Sequence, residues 1–175
     1  MEMRSRASSA FRCAVALWLA AGAAFAPGDA RAQQGPPQPV RWSLALDPAS
    51  GQVAAGGKLI AVVSAQIDEG WHVYAPDEAN VGPRPVEITI VKGQVFAAAG
   101  RFDVPEPVRE MDQAFGQITA SYVEQAKFRL PVGVAPDAPP GAHPLEIDIS
   151  FQACDGNICL PAKAARVKAT VTVTK

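Results

Sequence analysis

Leu145-Glu146-Ile147-Asp148-Ile149-Ser150-Phe151 puts a large apolar residue at every odd position and a polar one at every even position. Apolar residues on a helix face recur about every three to four positions, so a strict period of two describes a strand with one buried and one solvated face. Three further stretches repeat the pattern. Leu59, Ala61, Val63, Ala65 and Ile67 share a face; Val86, Ile88 and Ile90 alternate with Glu87 and Thr89; Val167, Ala169, Val171 and Val173 alternate with Lys168, Thr170 and Thr172. Weaker strand candidates are 41–47, 94–102, 118–124 and 127–134. No window after residue 33 has a helical period, and Pro136–Pro144 (PDAPPGAHP) reads as a loop between strands. Short half-buried strands separated by turn residues predict an all-β, immunoglobulin-like antiparallel β-sandwich in a single domain.

Composition agrees with that class. The chain has 175 residues, 49% of them hydrophobic, which suffices for a core. Its 16 prolines disfavour a helical bundle. A net charge of −1 leaves no basic footprint for nucleic acid.

The first residues read as an export signal. Arg4, Arg6 and Arg12 precede the apolar run Ala14–Ala26, whose 13 residues fall short of a membrane span, which takes about 20. Ala30-Arg31-Ala32 supplies small residues at a signal-peptidase site, so residues 1–32 are expected to be a cleaved signal peptide, cut after Ala32. Gln33–Pro39 is a polar, proline-rich leader expected to be disordered. The folded domain is then 40–175. The mature chain would have 143 residues and a net charge of −3, with no second run of spanning length and hence no membrane insertion.

Removing the signal also removes Cys13 and leaves Cys154 and Cys159. An even pair in an exported chain is a disulfide by default. Four residues separate the two, with Gly156-Asn157 in the middle. That dipeptide suits a two-residue type II′ turn, with glycine at its positive-φ position. The cysteines would then be a non-hydrogen-bonded pair with Cα atoms about 4.5 Å apart, near the short limit of disulfide geometry. Parity from Leu145 to Phe151 points Cys154 away from the core, where an accessible sulfur could exchange. Three readings stay open on spacing alone. The bond could be an inert staple, though so small a ring gives only about 2 kcal/mol of chain-entropy stabilisation. It could be a labile, redox-active pair. It could, when reduced, bind Cu(I), with Met111, His72 and His143 as the remaining soft donors.

Phe151-Gln152-Ala153-Cys154-Asp155-Gly156-Asn157-Ile158-Cys159-Leu160-Pro161 resembles the redox motif of the N-terminal domain of the thiol–disulfide interchange protein DsbD family. Gly70-Trp71-His72-Val73-Tyr74 resembles that family's aromatic strand, and Asp112-Gln113-Ala114-Phe115-Gly116 falls where the family has its cap loop. The resemblance spans roughly residues 40–175. It implies an immunoglobulin-like sandwich in the periplasm that works as a protein-disulfide reductase component. Electrons would come from a membrane-embedded thiol–disulfide carrier, here supplied in trans. They would pass to periplasmic thioredoxin-like proteins, including disulfide isomerases and cytochrome c maturation factors. No cofactor is implied beyond the redox-active Cys154–Cys159 disulfide. In the family the second cysteine forms the mixed disulfide, which implies Cys159 as nucleophile and Cys154 as the resolving thiol. A cap-loop aromatic shields the cysteines, a position that Phe115 or its neighbour Ala114 occupies here. The cysteine spacing of four departs from the five of the best-known members.

Around the pair, each supporting residue has a structural reading beside the functional one. Asp155 is a turn former or a carboxylate near the thiols. Asp112 is a solvated loop charge or a site residue. Tyr74 packs the sheet or walls the cysteines. Gln152 is a solvated strand residue or a hydrogen-bonding neighbour of Cys154. His72 reads as a structural histidine. The competing function is an exported interaction or assembly domain with an inert disulfide, whose sheet edge would bind a partner strand.

Overall fold

The computed structural model describes residues 37–76, 83–113 and 115–175. The predicted signal peptide lies outside them. Along the described residues run β1 (Val40–Asp47), β2 (Gln52–Ala54), β3 (Lys58–Ile67), β4 (His72–Tyr74), β5 (Glu87–Ile90) and β6 (Phe96–Ala98). They are followed by β7 (Val108–Asp112), β8 (Gln117–Val123), β9 (Gln125–Val134), β10 (Gly141–Phe151), β11 (Ala153–Cys154) and β12 (Lys163–Thr174). The strands form three sheets of four, in the orders β1-β3-β9-β6, β2-β12-β10-β5 and β11-β4-β8-β7.

The first two sheets are the faces of an immunoglobulin-like sandwich, and the periodicity explains why. Leu59, Ala61, Val63 and Ala65 of β3 stand opposite Val132, Leu130, Phe128 and Ala126 of β9, and all are buried. Facing them, Leu145, Ile147, Ile149 and Phe151 of β10 and Val167, Val171 and Val173 of β12 complete one apolar cluster. Rings bind the middle: Phe128 meets Tyr122 edge-on at 5.3 Å, stacks on Phe102 at 5.9 Å and lies 6.1 Å from Trp42.

Three local expectations change. The 94–102 candidate shrinks to three strand residues, Phe96–Ala98. The proline-rich loop is shorter than its composition suggests, because β10 already begins at Gly141 and carries Pro144. Pro144 is tolerated because β5 borders β10 only along Ile147–Ser150, leaving one side of the strand open at residue 144. Finally, β2 runs parallel to β12, against the otherwise antiparallel pairing of the sheets. At the domain's start, Pro39 is buried and its carbonyl accepts from the Asp68 amide at 2.8 Å.

The third sheet positions the site. A single residue, Glu124 at φ 56°, separates β8 from β9, and a single residue, Gln152, separates β10 from β11. One face of this sheet sends Val73, Ala120, Tyr122 and Ala153 into the sandwich core. The other face carries the cysteines.

Candidate functional site

Cys154 and Cys159 form a disulfide, with Cα atoms 4.1 Å apart. The hairpin that joins them has the predicted length but not the predicted turn. Gly156 does not take a positive φ. Instead the Asp155 carboxylate accepts from the amides of Asn157 and Ile158, both at 2.7 Å, and the Asp155 amide donates to the Ile158 carbonyl at 2.9 Å. A short acid side chain thus replaces the mirror-image turn that glycine would have allowed. The two amide bonds, then the nearby imidazole of His72, hold Asp155 below the usual carboxylate range. Asp155 is therefore the turn former that its residue type suggested.

The two sulfurs are not equivalent. Cys159 is partly exposed, whereas Cys154 is fully buried. Parity correctly turned Cys154 away from the main core, which excludes it. The accessibility inferred from that parity is wrong for Cys154. The off-core side is not solvent but the second face of the third sheet, where β4 lies directly alongside β11.

That face is built from the aromatic strand and the cap-loop strand. His72 stands opposite Cys154, and Tyr74 opposite Ser121 of β8. Tyr74 is fully buried; its hydroxyl donates to Asp112 Oδ2 at 2.7 Å and lies 2.9 Å from His72 Nε2. Thr119 Oγ1 reaches the same carboxylate oxygen at 3.4 Å. Asp112 Oδ1 accepts from the Phe115 amide at 3.2 Å, and the Gly116 amide donates to the Asp112 carbonyl at 2.7 Å, which folds the loop back over the sheet. Phe115 meets Tyr74 edge-on, ring centroids 6.1 Å apart, and stays 37% exposed. Ala114 lies outside the described residues. Burial lowers the His72 pKa, against the opposing pull of Asp112, Asp155 and Glu110.

Of the residues singled out in the sequence, Cys154, Cys159, Asp155, Asp112, Tyr74 and Phe115 thus come together. Gln152 brackets the hairpin from behind: its amide donates to the Leu160 carbonyl at 3.1 Å and its oxygen accepts from the Arg84 amide at 3.2 Å. Trp71, three residues before Tyr74, packs on the core side instead. His72 and Thr119 join the site without having been assigned to it. The G-W-H-x-Y pattern held the signal for His72, since residues i and i+2 of a strand share a face. The soft donors do not converge. Met111 has parity opposite to Asp112 and is 57% exposed, and His143 packs edge-on against Phe96. Among the described residues no group of three or more His, Cys, Asp or Glu is placed to hold a metal ion.

Comparison with known proteins adds the family. Residues 43–170 match the family model described as thiol:disulfide interchange protein DsbD, N-terminal. Among solved structures, the reduced Neisseria meningitidis DsbD N-terminal domain is 17% identical with TM-score 0.48, covering 76% of this chain and 85% of its own. The N-terminal periplasmic domain of ScsB from Proteus mirabilis is 16% identical with TM-score 0.49, covering 74% of this chain and 44% of its own. The complex of the DsbD and PilB N-terminal domains from Neisseria meningitidis matches at 13% identity and TM-score 0.43, covering 73% and 80%. No curated protein matches the sequence. Among the described residues no helix is long and apolar enough to cross a membrane. The match over residues 43–170 shows that the chain belongs to the DsbD N-terminal domain family of thiol:disulfide interchange proteins.

Proposed function

We propose that this chain is a periplasmic electron relay that shuttles between Cys154/Cys159 dithiol and disulfide. It would accept electrons from a membrane-embedded thiol–disulfide carrier and pass them to thioredoxin-like proteins, in the service of disulfide isomerisation and cytochrome c maturation. The observation that carries this reading is the unequal burial of the two sulfurs. Exchange needs one sulfur that a partner reaches and a second that only the first can meet. Cys159 on the outer arm of the hairpin suits the first role, and the enclosed Cys154 suits the resolving role. Phe115, poised over Tyr74, would be the cap that moves when a partner docks. Export through cleavage after Ala32 would deliver the domain to the compartment where such partners work.

The test is the equilibrium reduction potential of the pair in the mature domain, titrated against glutathione and dithiothreitol with an alkylation readout. A relay requires a potential above about −300 mV, the level below which structural disulfides typically lie. After reduction, Cys159 should alkylate well before Cys154. A lower potential, with thiols that resist alkylation, would overturn the relay and favour an exported interaction domain with an inert bond.

A further inference from the structure

Cys159, Cys154 and His72 lie in one cross-strand row: Cys159 pairs with Cys154, and Cys154 pairs with His72. Directly opposed residues project from the same face with Cβ atoms about 4.5–5.5 Å apart. Cys154 is therefore flanked by its disulfide partner on one side and by His72 on the other. The neighbouring hydrogen bonds assign the protons of that ring. Tyr74 Oη–H donates to Asp112 Oδ2, so its oxygen is the acceptor for His72 Nε2–H. In the neutral ring Nδ1 is then the nitrogen with the free lone pair. Nδ1 takes part in no hydrogen bond among the described residues, and its ring belongs to the residue directly opposite Cys154.

Resting on the relay reading, we propose that His72 Nδ1 is the proton acceptor for the Cys154 thiol in the resolving step. With Cys159 held in a mixed disulfide, the Cys154 S–H passes its proton to Nδ1. Its sulfur then attacks Cys159 Sγ, the intramolecular disulfide forms, the mixed disulfide breaks, and the partner leaves as a thiolate. Cys154 and Cys159 are oxidised together, the partner is reduced, and the imidazolium returns its proton to water or to the departing thiolate. The charged and titratable groups around the ring favour this transient cation: Asp112 and Glu110 from β7, Asp155 from the hairpin, with Tyr74 on the same strand. Burial meanwhile keeps the resting ring neutral and ready to accept.

The test uses the reduced mature protein and dithiobis(nitrobenzoate), which releases one coloured thiolate when Cys159 attacks and a second when Cys154 resolves. His72→Gln keeps an N–H for Tyr74 and removes the base. It should slow the second release about a hundredfold, the scale of general-base catalysis, and leave the first within about twofold. Added imidazole should restore part of the lost rate. If His72→Gln fails to fold, the wild-type pH profile decides. The second release must fall off on acidification through the His72 titration, below the ordinary imidazole range, while the first shows no such inflection. A folded His72→Gln protein whose second release matches wild type, or a wild-type profile without that inflection, would overturn the proposal. Absence of any second release from wild type would overturn the relay reading itself.

Discussion

Tyr74→Phe deletes one oxygen from a fully buried ring and leaves no cavity larger than that atom. The deletion removes a donor 2.7 Å from Asp112 Oδ2 and an acceptor 2.9 Å from His72 Nε2. The Asp112 side chain is only 6% exposed, so water cannot freely replace the lost donor. Hydrogen bonds to charged groups contribute about 1.5–3 kcal/mol, and neutral ones about 0.5–1.5 kcal/mol. Tyr122 supplies the control within the same fold: it is 3% exposed, and its hydroxyl donates to the uncharged Pro105 carbonyl at 3.0 Å. Tyr74→Phe should cost about 1.5–3 kcal/mol and Tyr122→Phe about 0.5–1.5 kcal/mol. Urea unfolding with the disulfide intact measures both, and equal slopes would show that the surface exposed on unfolding is unchanged. Equal costs for the two tyrosines would refute the reasoning, because Tyr74 donates to a carboxylate and also accepts from His72, whereas Tyr122 donates to a neutral carbonyl.

Other consequences follow from the same geometry. Burial sets the folded His72 pKa below its unfolded value, so the unfolded chain binds the proton first as pH falls. Stability should decline from about pH 6.5 down to the folded pKa, and His72→Gln should flatten that part of a pH series of urea midpoints. Asp155→Ala should speed hydrogen exchange at the Asn157 and Ile158 amides, whereas Asp155→Asn, which keeps an acceptor oxygen, should not. Phe128→Ala, at a fully buried ring touched by three others, should cost about 3–5 kcal/mol in the same unfolding assay.

The sandwich was legible because its signal is local. Each long strand declares its buried face by alternation, and β3, β9, β10 and β12 follow that pattern closely. The third sheet was not legible as a sheet. Its two strands at the cysteine end are short, β11 having two residues and β4 three, and a window that small holds no period. The exposure of Cys154 failed for the same reason. Parity within one chain says which way a side chain turns; it is silent on which distant strand will lie there. The turn failed differently. Gly156-Asn157 favours one turn type, but Asp155 offers two backbone amides an acceptor and decides the competition locally. His72 was undervalued because the G-W-H-x-Y pattern ties it only to Tyr74; the rest of its meaning comes from the residue opposite, Cys154.

Single-residue switches explain why the site has the shape it has. Glu124, in the left-handed region, ends β8 in one sheet and starts β9 in another, and its carbonyl accepts from the Ile67 amide at 2.8 Å. Gln152 does the same between β10 and β11, tied by its side chain to Arg84 and Leu160. The cysteine strand is thus anchored to the core one residue away, with Ala153 packed inward and Cys154 turned out. Because β11 is the outermost strand of its sheet, the returning hairpin can only place Cys159 beyond it, toward solvent. The row of Cys159, Cys154 and His72 is therefore a consequence of topology rather than of loop choice. A reachable sulfur, an enclosed sulfur and a base follow one another because the sheet ends where the hairpin begins.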